Sequence, residues 1–141
     1  SIRAQFSTDF WSVGTFGRQE GAMGQLIQKD HPLFKEFPTE SHTNWQWWPM
    51  ANQRAVILPD TVKQPFDAII TEMDSYAFLR PMAQLFECRV GNGKLLYSTL
   101  GLQDLQQYPE GKALLRSIYK YLDLEIFAPK QSIEWETLVS I

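Results

Sequence analysis

Three tryptophans fall within four residues of this 141-residue chain, next to polar side chains. Flat indole faces stack on the apolar faces of sugar rings, and neighbouring amides and carboxylates can bond the sugar hydroxyls. Because three tryptophans so close together cannot all point the same way, we expect at least one of them to pack inwards. The cluster predicts a ligand-binding site for carbohydrate formed by Trp45, Trp47, Trp48, Asn44 and Glu40.

The candidates for catalysis lack the partners that their chemistry needs. Cys88 lies among apolar residues with no glycine elbow to present its sulfur, so we interpret it as a core residue. His31 and His42 have no sequence partner such as a glycine-flanked serine, which favours surface or capping roles. We therefore predict no catalytic residue. Carboxylates that could form a glycosidase pair, if the fold brought two together, include Asp9, Glu40, Glu72, Asp74 and Glu87.

Composition and charge exclude several function classes. Thirteen Lys and Arg against sixteen Asp and Glu give a net charge of -3, without a basic stripe that would favour nucleic acid. One cysteine and two histidines offer no zinc-site spacing, so we expect no metal and no cofactor. No stretch approaches the roughly 18 apolar residues of a membrane span, and no membrane partner is expected.

The elements that must position these residues are several strands and two helices. Apolar runs predict strands at residues 21–27, 55–58 and 66–73. A short or kinked helix is expected within 39–52, because Pro49 fits poorly deep inside one. Asn92-Gly93 between two apolar runs predicts a β-hairpin over residues 83–100.

The first residues of the chain and the residues after the hairpin show other patterns. Residues 6–16 are rich in aromatic side chains without a regular period, which indicates an irregular loop. A helical stripe begins at Pro109 and ends at Leu122. Residues 133–139 alternate between apolar and polar, which is typical of an edge strand or a partly ordered tail. We expect one domain at residues 1–128, followed by a C-terminal tail or edge strand at 129–141.

Several strands, a hairpin and two helices indicate a layered α/β or α+β domain. The order of short motifs narrows this further: FSTDFW at 6–11, GQLI at 24–27, HPLF at 31–34, FPTE at 37–40, NWQWW at 44–48, VIL at 56–58, LFE at 85–87 and VGNGKLL at 90–96. Together with the final helix, these motifs resemble the C-terminal region of bacterial glycoside hydrolase family 2 proteins, the β-galactosidase-like or sugar-binding-domain group.

The resemblance implies a flavodoxin-like or class I glutamine amidotransferase-like α/β fold with a C-terminal β-hairpin and helix. It implies no amidotransferase activity, because the chain has no cysteine elbow. The glycosidase carboxylates of the family belong to an upstream β/α barrel that this sequence does not contain. The chain alone is therefore expected not to be an enzyme, whereas its parent protein is expected to be a glycoside hydrolase.

The expected function is that of a non-catalytic accessory domain of a carbohydrate-active enzyme, which supports assembly or lines a sugar site. Its partners would be a carbohydrate or the parent catalytic domain, in the periplasm or outside the cell. The missing initiator Met indicates a processed protein or a segment of a longer one. Two alternatives stay open: an autonomous carbohydrate-binding module that uses the tryptophan cluster, and a subunit-contact domain that forms oligomers.

Overall fold

A computed structural model describes residues 2–3, 24–51, 54–63, 65–74 and 78–141, and within these residues six strands form one sheet. The predicted aromatic loop at 6–16 lies outside them. The strands are β1 (Ile2–Arg3), β2 (Gly24–Ile27), β3 (Arg54–Ile57), β4 (Ile70–Met73), β5 (Met82–Val90) and β6 (Gly93–Ser98). The α-helices are α1 (Trp48–Ala51), α2 (Pro109–Leu122) and α3 (Trp135–Ser140), and the 3-10 helices are Pro32–Glu36, Trp45–Trp47 and Asp104–Gln107.

The longest strand, β5, lies at the centre of the sheet. Its first residues pair with β3 along one edge and with β4 along the other, and its second half pairs with β6. β1 continues the sheet beyond β3, and β2 continues it beyond β4. All of these strand pairs are antiparallel. The chain at Ser132 then forms a parallel bridge with Arg89, beyond the end of β4.

The antiparallel pairing shows that the expected flavodoxin-like or class I glutamine amidotransferase-like α/β fold is wrong. Such folds place parallel strands side by side and join them by long crossovers, usually helices. In the described part of the chain, the strands are joined by loops, a tight turn and short helices, and α2 follows the last strand. Apolar runs mark strands, but they carry no information on strand direction, which the pairing of distant segments decides.

The sheet buries both of its faces. Ile70 pairs with Leu85 whereas Thr71 pairs with Ala83, so Gln84 is an extra residue in β5 and forms a β-bulge. Leu85 packs into the core under α2, whereas Phe86 packs into a second core on the opposite face. This double burial explains why the first five residues of β5 are all buried.

The predicted hairpin and long helix are both confirmed. β5 and β6 are joined by the two-residue loop Gly91-Asn92, which follows from the pairing of Val90 with Gly93. Gly91 has a φ of 56°, a left-handed conformation that glycine adopts at little cost. The helix α2 begins at Pro109, where the missing backbone N–H costs no helical hydrogen bond.

Two predicted strands differ from the structure. Only the second half of the 66–73 segment forms a strand, β4. Residues 133–139, predicted to form an edge strand or a partly ordered tail, are instead largely the helix α3. Leu138 and Ile141, three residues apart, both pack on the core that contains Ile133. A helix places residues at this spacing on one face, whereas a strand points them to opposite faces.

Candidate functional site

The tryptophan cluster lies on a single short helical segment, as predicted. The 3-10 helix Trp45–Trp47 runs directly into α1. Asn44 caps this segment, because its Oδ1 accepts a hydrogen bond from the Gln46 N–H at 3.2 Å. Pro49 is the second residue of α1, a position that tolerates proline. The cap occupies the side-chain oxygen of Asn44, which was predicted to bind a ligand.

Trp47 is the tryptophan that packs inwards. Its side chain is 1% exposed, and its ring lies edge-on to the rings of Phe34 and Phe37. Its Nε1–H donates a hydrogen bond to Thr39 Oγ1 at 2.8 Å, so the indole also has its polar group satisfied. Trp47 anchors the turn to the core and leaves the other two rings at the surface.

Trp45 and Trp48, which we call the tryptophan pair, are 76% and 52% exposed. Their ring centroids are 5.7 Å apart, and the ring planes are inclined by 46°. Glu40, also predicted to bind a ligand, is exposed, and its Oε2 lies 3.3 Å from His42 Nε2. The structure therefore brings two of the predicted aromatic residues together at the surface, and it places Glu40 at the surface within the same segment.

A cleft of about 400 Å³, which sequence reasoning missed, lies where the sheet meets the end of α2. Its walls come from the loop after β2, the chain before β4, β5, α2 and the segment that follows α2. These five walls are far apart in sequence and contribute between one and four lining residues each, which is why no local motif marks the cleft. Its polar lining side chains are Gln28, His31, Asp67, Glu87, Tyr121, Lys130 and Gln131.

His31 occupies the N-cap of the 3-10 helix Pro32–Glu36, which is one of the two roles, surface or capping, that the sequence predicted for it. Its Nδ1 accepts a hydrogen bond from the Leu33 N–H at 3.2 Å, so the neutral ring carries its proton on Nε2. Burial lowers the pKa of His31, and the nearby carboxylates of Glu87 and Asp67 offset part of this effect. The ring therefore presents an Nε2–H group, 3.8 Å from Glu87 Oε1.

Glu87 and Tyr121 link β5 to α2 beside this ring. The Tyr121 hydroxyl donates a hydrogen bond to Glu87 Oε2 at 2.6 Å, and its ring packs edge-on to His31. Burial and the Glu87 carboxylate raise the pKa of Tyr121 well above its usual value, so the phenol acts as a donor. A glutamate between Phe86 and Cys88 in an apolar strand was the sequence signal that could have pointed to this group.

The amide side chain of Gln131 links the segment after α2 to the chain before β4 and to β5. Its Oε1 accepts a hydrogen bond from the Asp67 N–H at 2.9 Å, and its Nε2 donates to the Asp67 and Glu87 carbonyl oxygens at 2.8 Å each. Gln28 Nε2 in turn donates to the Asp67 carboxylate and, at 2.9 Å, to the Ala68 carbonyl oxygen. These bonds hold the cleft open in one arrangement.

Two other acidic residues named from the sequence are engaged in structural contacts. Glu72 is buried and accepts a hydrogen bond from Gln25 Nε2 at 2.7 Å. Asp74 accepts hydrogen bonds from the Arg80 side chain through both carboxylate oxygens. Asp9 lies outside the described residues. These contacts tie strand β4 and the loop after it to their neighbours.

Cys88 is fully buried, as interpreted from the sequence, and burial raises its thiol pKa to about 11. A thiol of this kind is a poor nucleophile at neutral pH. Among the residues that the structure describes, no group of three or more His, Cys, Asp or Glu side chains could hold a metal ion. The helices in these same ranges are too short or too polar to cross a membrane.

Comparison with curated proteins finds no match to this chain. A family model described as "Domain of unknown function (DUF8487)" matches residues 1–141. The match covers the whole chain, so the chain belongs to the DUF8487 family.

Proposed function

We propose that this chain is a non-catalytic domain that binds carbohydrate through the tryptophan pair. The observation that carries the proposal is the exposure of Trp45 and Trp48, at 76% and 52%, with ring centroids 5.7 Å apart. Large aromatic side chains that stay exposed in a cluster are typical of binding surfaces. The buried Trp47 between them fixes the segment, so a ligand would meet rings that are already positioned.

The chemistry of the indole rings and of nearby residues in the sequence supports a sugar as the ligand. Indole faces offer broad apolar contact to the C–H faces of sugar rings, and two inclined rings suit a chain of sugars that twists. Glu40 and His42 offer exposed groups that can bond hydroxyls. A place beside the catalytic domain of a carbohydrate-active enzyme is part of the same proposal.

The proposal is tested by isothermal titration calorimetry of the full chain with galactose-, glucose- and mannose-based oligosaccharides. We expect at least one oligosaccharide to bind, and Trp45→Ala and Trp48→Ala each to weaken its binding about tenfold or more. A tenfold loss corresponds to about 1.4 kcal/mol, the scale of one lost aromatic contact. Trp135→Ala is the matched control, because Trp135 is also exposed but lies on α3.

Sedimentation measurements separate this function from a subunit-contact role. A monomeric chain that binds an oligosaccharide supports the proposal. A chain that self-associates, binds no oligosaccharide and becomes monomeric in the Trp45→Ala variant would instead assign the tryptophan pair to contact between subunits. Binding that is equally strong in both tryptophan variants would also overturn the proposal.

A further inference from the structure

We propose that the cleft between the sheet and the end of α2 binds a small neutral ligand that carries hydroxyl groups, such as a monosaccharide or another polyol. The central observation is the spacing of two groups in its wall. His31 Nε2 and Glu87 Oε1 are 3.8 Å apart, which is too far for a direct hydrogen bond. They form an adjacent donor and acceptor that a third group can join.

The hydrogen-bonding roles of His31 and Glu87 decide which ligand group can lie between them. His31 Nδ1 accepts from the Leu33 N–H, so its Nε2 is a donor. The Tyr121 hydroxyl donates to Glu87 Oε2, which leaves Oε1 of the same carboxylate to accept from a ligand. A hydroxyl oxygen can accept from a ring N–H and donate its own proton to a carboxylate at the same time. An alcohol therefore satisfies both groups. A carboxylate anion cannot donate to Glu87, and an ammonium group cannot accept from His31.

The charges of the cleft favour the same class of ligand. Asp67 and Glu87 both line it, and they repel carboxylates and phosphates. Lys130, also in the lining, balances one of these charges. A cation would meet the N–H of His31 and the Lys130 ammonium group. A neutral ligand with several hydroxyls avoids both conflicts.

The cleft has the size and the rigidity of a small-molecule site. A volume of about 400 Å³ falls within the range of small-molecule sites, roughly 300 to 1,000 Å³. Ile69, Ile126 and Pro32 line the cleft with apolar surface, which suits the C–H groups of a polyol. The three hydrogen bonds of Gln131 hold the wall in place before a ligand arrives, so little ordering opposes binding.

This site is separate from the tryptophan pair, because no residue of the segment 40–48 lines the cleft. The two proposals can therefore fail independently. The test is an NMR titration of the isotope-labelled full chain with galactose, glucose, glycerol and myo-inositol, and with phosphate, acetate and choline as charged probes. The readouts are the amide signal of Leu33, whose N–H bonds His31, and the ring signals of His31.

We expect at least one neutral polyol to shift these signals in a saturable way, and the charged probes to bind at least tenfold more weakly. Glu87→Gln and His31→Asn should each weaken polyol binding about tenfold or more. Asn offers an amide oxygen in place of the capping Nδ1 and lacks the Nε2–H, so His31→Asn is designed to preserve the fold. Tyr121→Phe provides another variant, which removes the hydrogen bond that positions the Glu87 carboxylate and should therefore also weaken binding.

Two matched controls distinguish the outcomes. Glu40→Gln removes an exposed carboxylate that also neighbours a histidine, and Trp45→Ala removes one ring of the tryptophan pair. Both should leave polyol binding in the cleft unchanged. The proposal is overturned if no neutral polyol shifts the Leu33 and His31 signals, if choline or an anion binds more tightly than every polyol, or if Glu87→Gln binds as the unmodified chain does.

Discussion

The Tyr121 hydroxyl donates a hydrogen bond to Glu87 Oε2 at 2.6 Å and so joins α2 to β5 across the wall of the cleft. The acceptor is a carboxylate in a partly buried position, where hydrogen bonds to charged groups contribute most. The Tyr121 side chain itself belongs to the core under α2. The same residue therefore packs the helix onto the sheet and positions Glu87.

Tyr121→Phe keeps the ring and removes only this hydrogen bond. We expect the free energy of unfolding to fall by about 1.5–3 kcal/mol, because a carboxylate loses a donor while it stays partly buried. Urea denaturation followed by circular dichroism measures the loss. Tyr119→Phe is the matched control on the exposed side of α2 and should change stability by less than about 0.5 kcal/mol. Equal stability of both variants would contradict the assignment.

His31 should make the stability of the fold depend on pH. Its pKa is lowered from 6.5 by burial, against the opposing effects of Glu87 and Asp67, and the Tyr121 ring packs on it. As the pH falls below 6.5, the unfolded ring binds a proton more readily than the folded ring does, so stability decreases. Protonation of Nδ1 would also remove the cap on the Leu33 N–H.

The His31 prediction is measured by urea denaturation at a series of pH values from 7.5 to 5.5. We expect the stability of the His31→Asn variant to fall less steeply than that of the unmodified chain over this interval. His42→Asn is the control, since His42 is the other histidine and is exposed. Identical pH profiles for the unmodified chain and His31→Asn would show that the buried ring does not carry this effect.

At Gly111, helix propensity predicts the wrong sign for the change in stability on replacement by alanine. Replacing a glycine inside a helix by alanine normally stabilises it by up to about 1 kcal/mol. A Cβ at Gly111, however, would lie 2.6 Å from Leu105 Cβ and would meet the Leu105 carbonyl oxygen even more closely. We therefore expect Gly111→Ala to destabilise the chain by about 2 kcal/mol, because α2 must move away from the 3-10 helix Asp104–Gln107.

Thermal unfolding of the Gly111→Ala variant tests this close approach. Lys112→Ala, at the next and exposed position of α2, should change the stability by less than about 0.5 kcal/mol. A Gly111→Ala variant that unfolds at a higher temperature than the unmodified chain would mean that the helix and the 3-10 turn are not in contact.

Replacing different tryptophans of the cluster should change the stability by different amounts. Trp47→Ala removes a fully buried ring and its hydrogen bond to Thr39, so we expect a loss of about 3–5 kcal/mol. Trp45→Ala removes a ring that is 76% exposed, and its effect should stay within about 1 kcal/mol. Chemical denaturation of the two variants side by side gives the comparison. A larger loss for Trp45→Ala than for Trp47→Ala would reverse our assignment of core and surface.

Local pattern predicted those parts of the fold that depend on near neighbours in sequence. The stripe of Leu114 and Ile118 marked α2, and the turn residues around Asn92 marked the hairpin, because both arise from contacts within one segment. The end of the chain was less predictable. Alternation over 133–139 suggested a strand, but the position of Leu138 and Ile141 against the second core selected a helix.

Of the candidate sites, the tryptophan cluster was visible in the sequence because its members are adjacent. Which ring is buried was not, since that depends on Phe34 and Phe37 from the preceding turn. The cleft was not visible at all. His31, Glu87 and Tyr121 are separated by 56 and 34 residues, so they meet one another only in the folded chain.

The sequence by itself determined the single helical stripe, the hairpin, the buried cysteine and the presence of a tryptophan cluster, because each follows from the periods and turns of a short segment. Only the tertiary structure decided the antiparallel order of the strands, the inward position of Trp47 and the meeting of His31, Glu87 and Tyr121. These features depend on contacts between distant segments, and burial and hydrogen bonding in the folded chain select them.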